Sequence, residues 1–127
     1  MRNFRTPLAR VRGLGSAKEG TDHFWKQRVT AVANLILVSM AIYLIMRLAG
    51  ADYLVVKRTL AEPQNAIVLL LLVLSGVTHM RLGMQTIIED YVHADGYKIV
   101  ALMCNTFFAL LVGLTCAYAV LKLSFGA

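Results

Sequence analysis

Three apolar runs, at 29–48, 66–88 and 99–123, leave this chain few ways to fold. Each can cross the hydrocarbon core of a bilayer, about 30 Å thick, which takes about 20 residues of helix at 1.5 Å per residue. In lipid every backbone N–H and C=O must be satisfied within the protein, so spans of this length fold as helices. With 58% hydrophobic residues and a mean hydropathy of +0.65 over 127 residues, the composition lies outside that of ordinary water-soluble domains. The expected fold is an all-α membrane protein with three transmembrane helices and no room for a soluble catalytic domain. Three helices bury little of one another, so packing with a second subunit is expected, and the chain is not expected to be an enzyme alone. The expected division is an N-terminal segment 1–28, a first helix 29–48, an outer loop 49–65, a second helix 66–89, an inner loop 90–98 and a third helix 99–123.

The first run begins only after 28 residues and is too long for a signal-peptide core, so it reads as a retained span. The formal net charge of +6 is unevenly spread. Arg2, Arg5, Arg10, Arg12, Lys18, Lys26 and Arg28 precede the first helix, opposed by Glu19 and Asp22. By the positive-inside rule the N-terminus is cytoplasmic, the second helix runs inward, and the C-terminus lies outside. Attraction to anionic phospholipid headgroups accounts for these cations. Nucleic acid is not expected as a partner, because the cations are sparse and lead straight into a membrane span.

Pro7 and the glycines Gly13, Gly15 and Gly20 predict an irregular start, with Thr21 or Asp22 as the N-cap of the first helix. Trp25 suits the headgroup layer, and Pro63 suits a helix start. Cys104 and Cys116 fall about 18 Å apart along the third helix, too far for a disulfide, and read as small buried hydrophobes.

The second run carries His79 among apolar residues. An ionisable group inside a membrane is costly and marks a functional site by default. At 100° per residue Asp90 lies about 20° around the axis from His79, with Ser75, Gly76, Gly83 and Thr86 on the same stripe. Small residues there admit either a close partner helix or a flat ligand. No acid, Cys or second His lies at i±3 or i±4 from His79, which argues against a zinc or di-iron site built by this chain alone. Spacing leaves two readings of His79 open: a haem axial ligand, or a histidine hydrogen-bonded to a neighbouring helix. Tyr91 is either an interfacial anchor or, beside Asp90, a donor to a ligand carbonyl at the rim of a membrane pocket. His23 is either an interfacial imidazole or a donor to an anionic cofactor group. Arg81 lies roughly 200° from His79 and falls outside that pocket. Asn34 and Ser39 in the first helix, and Asn105, Thr106 and Thr115 in the third, are uncharged, which disfavours a transporter.

The run His79-Met80-Arg81-Leu82-Gly83-Met84-Gln85-Thr86-Ile87-Ile88-Glu89-Asp90-Tyr91-Val92-His93 resembles the small hydrophobic membrane-anchor subunit of succinate dehydrogenase (respiratory complex II), the cytochrome b-small or D subunit. The segment from Gly13 to Ala31, Gly13-Leu14-Gly15-Ser16-Ala17-Lys18-Glu19-Gly20-Thr21-Asp22-His23-Phe24-Trp25-Lys26-Gln27-Arg28-Val29-Thr30-Ala31, is similar to alphaproteobacterial members. The resemblance implies that His79 is an axial ligand of haem b, shared with a His of the larger anchor subunit. It implies that Tyr91 hydrogen-bonds ubiquinone, with Asp90 beside it, and that His23 and Arg28 lie near the haem propionates or quinone pocket. It implies flavoprotein and iron–sulfur partner subunits, and a multi-pass place in the bacterial inner membrane. The function implied is passage of electrons from succinate oxidation into the quinone pool. A non-redox scaffold or assembly subunit and the anchor of a quinol:fumarate reductase are the alternatives.

Overall fold

In a computed structural model, residues 6–13 and 20–126 are described. They form five helices in chain order: α1 (Pro7–Val11), α2 (Gly20–Leu48), α3 (Tyr53–Ala61), α4 (Pro63–Tyr91) and α5 (Asp95–Ser124). No strand occurs among the described residues. Three of the helices, α2, α4 and α5, are long and apolar enough to cross a membrane. Each continues past its apolar run, because helical hydrogen bonding persists into the polar flanks until a residue breaks it.

The breaks have local causes. Gly50 sits at φ 78°, a left-handed conformation open to glycine, and ends α2 with Ala51 N–H donating to the Leu48 carbonyl. Pro63 opens α4 as its first helical residue and holds Glu62 out of the helical region, at φ −57° and ψ 131°. That elbow separates α3 from α4. Asn65 secures it by donating to the Thr59 carbonyl at 2.7 Å and to the Glu62 carboxylate at 3.1 Å. The expected outer loop thus contains a nine-residue helix, α3, that apolar periodicity over so short a stretch did not single out. Likewise α1 occupies part of the segment expected to be irregular, with Gly13 at φ 63° just beyond its end. Between α4 and α5, Lys98 reaches across the turn to the Glu89 carbonyl at 3.1 Å.

α4 is the central helix. It packs against α2 on one side and α5 on the other, and α3 lies against α4 and α5 at the end where α2 finishes. The described core is small: Leu44, Ala66, Ile88, Ala109 and the polar Asn105 are the buried residues. Large apolar side chains such as Leu35, Ile45, Phe107 and Leu114 are exposed instead. This is the arrangement expected where the solvent is lipid or a partner subunit. Cys104 and Cys116 are both free and exposed, not buried as the sequence suggested, because three helices cover only a small part of one another's surface. Ser39, Thr78 and Thr86 satisfy their hydroxyls on carbonyls one turn back in their own helices, which lets them stand exposed.

Candidate functional site

The first turns of α2 carry His23, Gln27, Thr30 and Asn34 at spacings of four, three and four, so all fall on one face of the helix. Across from them α4 presents Ser75, His79 and Gly83, again four apart. The two stripes meet. His79 Nδ1 lies 3.0 Å from the Thr30 hydroxyl, and Ser75 Oγ donates to the Thr30 carbonyl at 3.3 Å. Thr30 is therefore gripped twice by α4, through its side chain and through its backbone. One turn further along α4, a Cβ placed on Gly83 would come within 3.4 Å of Gln27 Nε2, the far end of a flexible side chain.

Beyond this contact the helices diverge into a groove of about 620 Å³. His23, Phe24, Gln27 and Arg28 line it from α2, and His79, Gly83, Thr86 and Ile87 from α4. The Arg28 guanidinium lies 3.5 Å from the centre of the Phe24 ring, a cation–π contact that holds the charge at the groove. Two polar atoms in this lining, His23 Nε2 and Gln27 Oε1, are buried with no hydrogen-bond partner, and so is Asn34 Oδ1 on the same stripe. A buried unpaired polar atom costs roughly 1–3 kcal/mol. Two of the three belong to residues that line the groove.

Of the five sequence-derived site residues, the structure brings three together: His79, His23 and Arg28 share this groove. Asp90 and Tyr91 stand in the last turn of α4, both exposed, Tyr91 at 78%, and neither lines it. Gln85, within the same motif, bonds Glu89 along the helix at 2.8 Å. His93 and Asp95 are exposed in and just after the α4–α5 turn. Arg81 faces elsewhere, into a second groove of about 450 Å³ that it shares with Lys26 and apolar residues of α4 and α5. Gln27, Phe24 and Thr30 are the site residues that sequence reasoning passed over. Their signal was the helical recurrence of polar residues after His23, hidden because each taken alone is unremarkable near a membrane surface. Among the described residues no group of three His, Cys, Asp or Glu side chains comes together.

Residues 2–114 match the family described as succinate dehydrogenase/fumarate reductase transmembrane subunit. The chain belongs to that family. It is 30% identical over 122 residues to the succinate dehydrogenase hydrophobic membrane anchor subunit of Paracoccus denitrificans, covering 96% of this chain and 94% of that one. It is 29% identical over 109 residues to the subunit of the same name from Rickettsia bellii, covering 86% and 87% of the two chains. A third such subunit, from Rickettsia conorii, is 31% identical over 91 residues, 71% of this chain and 72% of that one. No solved structure matches the chain. Family membership, with three helices long enough to span, makes this a membrane-anchor subunit of succinate dehydrogenase and a multi-pass inner-membrane protein.

Proposed function

We propose that this anchor binds haem b through His79, shares it with a histidine of the larger anchor subunit, and contributes Tyr91 and Asp90 to a ubiquinone-reduction site at the end of α4. The observation that carries the reading is the groove. It holds an intramembrane histidine whose ring uses one nitrogen for Thr30, beside an arginine and two buried polar atoms that lack partners. Those residues fit a flat ligand with an anionic rim. Arg28 offers a cation, and His23 Nε2 and Gln27 Oε1 await polar contacts. His79 would hold the iron from this side. When bound, haem b supplies a one-electron carrier and a tie between the two anchor subunits.

With the N-terminus cytoplasmic, as the seven cations before the first span favour, the end of α4 lies on the cytoplasmic face. There the flavoprotein and iron–sulfur subunits would dock, and Tyr91 would be about 16 to 18 Å along the helix from His79. Ubiquinone would gain two electrons and two protons at that rim and leave as ubiquinol. The Tyr91 hydroxyl would donate to a quinone carbonyl and stabilise the negative charge that grows on its oxygen during reduction. Asp90, exposed next to it, would face the cytoplasmic water from which the protons come. The exposure of both residues in the single chain fits a pocket closed by partner subunits.

The Thr30–His79 bond also favours a second reading, in which His79 only clasps two helices of a non-redox scaffold. A dithionite-reduced minus oxidised spectrum of the complex purified from membranes separates the two. A sharp b-type α-band that disappears in His79→Ala, with flavin and iron–sulfur partners still present, is the expected result. An unchanged spectrum in that variant rejects the ligand role.

A further inference from the structure

We infer that Thr30 is a positioning residue for His79: it holds the imidazole with the proton on Nδ1 and directs the Nε2 lone pair away from α2's backbone, toward the groove. The inference rests on the haem reading above and adds to it the element that prepares the ligand.

The argument is a proton count. The Thr30 oxygen has one hydrogen to donate. It lies 2.8 Å from the Lys26 carbonyl oxygen and 3.1 Å from the Gln27 carbonyl oxygen, the usual back-bonding geometry of a helical threonine. A carbonyl oxygen accepts and never donates. If the hydroxyl proton pointed at His79, lone pairs would face each other across both short contacts. The proton therefore goes to a carbonyl, and the third neighbour, His79 Nδ1 at 3.0 Å, must be the donor. A neutral imidazole has only one N–H, so Nε2 is left bare, which is the form that binds a metal. Ser75 Oγ, one turn away on α4, donates to the Thr30 carbonyl at 3.3 Å and fixes the same threonine from a second direction. The ring thus has its tautomer set by an acceptor on another helix, and its orientation set by an atom 49 positions away in sequence. Outer partners of this kind raise the basicity of a metal-ligating imidazole, and losing one costs about 10–100-fold in metal affinity. A more basic ligand favours ferric over ferrous iron, so removing the acceptor should raise the reduction potential.

The test uses the whole four-subunit complex in membranes or detergent, with Thr30→Val, Thr30→Ser, Thr30→Ala and His79→Ala compared with the parent. The readouts are haem per flavin by pyridine haemochrome, the one-electron midpoint potential of the haem, and its low-spin EPR signal. Thr30→Ser keeps the hydroxyl and should keep parental potential and haem content. Thr30→Val keeps the γ-methyl but loses the hydroxyl. It should lower haem occupancy and raise the potential of what remains, by about 59 mV for each tenfold loss of preference for ferric iron. Thr30→Ala should follow Thr30→Val, which keeps the comparison usable if valine prevents assembly. A potential that follows the γ-methyl instead of the hydroxyl, or the same potential and haem content in all three variants, overturns the inference. Haem retained in His79→Ala would instead overturn the ligand assignment beneath it, so the two failures are told apart.

Discussion

Against α5, the central helix α4 meets a row of small side chains: Asn105, Ala109, Gly113 and Ala117 follow one another at intervals of four along α5. Ala109 is 2% exposed, and a Cβ on Gly113 would sit at ordinary contact distance, 3.5 Å, from Val77. Asn105 is buried but satisfied, donating to the Arg81 carbonyl at 3.0 Å. Against α2 the same helix meets polar side chains, and the seam is unfinished, with His23 Nε2, Gln27 Oε1 and Asn34 Oδ1 buried and unpartnered. In a membrane there is little hydrophobic drive between helices, so association depends on close packing and interhelical hydrogen bonds. The α4–α5 seam has both and keeps its buried polar group, Asn105, paired within this chain, although a mostly apolar groove of about 450 Å³ runs along it. The α2–α4 seam has the hydrogen bonds too, but its groove is lined with polar and charged side chains, and buried polar atoms beside it stay unpaired. The difference separates a seam whose buried polar group is paired from one that leaves three buried polar atoms unpaired.

Substitutions on the two seams should therefore fail in different ways. The largest effect is expected from His79→Ala: loss of haem well beyond the roughly 10–100-fold that losing an outer partner costs, measured as haem per flavin in the purified complex. Next, Ala109→Leu forces a larger side chain onto a buried position of the α4–α5 seam and should destabilise the anchor by about 1–3 kcal/mol. Its thermal unfolding in detergent should move down while the haem spectrum of the assembled fraction stays parental; a changed spectrum would mean that the seams are coupled. Tyr91→Phe, outside both seams, should slow quinone reduction about tenfold, or about 1.4 kcal/mol in barrier, with haem and assembly intact. Equal loss of all three would remove Tyr91 from the quinone site. The smallest effect is expected from Asn105→Ala, about 0.6 kcal/mol by the average for interhelical hydrogen bonds in a membrane protein, read again by thermal unfolding. A much larger cost would show that the α4–α5 seam depends on this polar contact more than on its small residues.

Much of the site could be read along the chain, and the reason is visible in particular residues. His79 announces itself because an ionisable side chain inside an apolar run conflicts with its surroundings wherever it packs. The offset of Arg81 from His79 follows from helical geometry alone, and the two do line different grooves. Thr30 could not be recognised this way. Its hydroxyl is ordinary within its own helix, bonded to carbonyls three and four residues back, and only the approach of α4 gives it a second task. The two cysteines were misplaced for the same reason, since an apolar helix reads alike on every face until its neighbour is known.

The sequence by itself determined that three segments cross a membrane, that they do so as helices, and where an ionisable group interrupts them, because length, hydropathy and backbone hydrogen bonding in lipid are local properties. Only the tertiary structure decided that α4 lies between α2 and α5, that His23, Arg28 and His79 share one groove, and that Thr30 meets His79. Those are relations between residues far apart in the chain, and they arise only when the helices pack against one another.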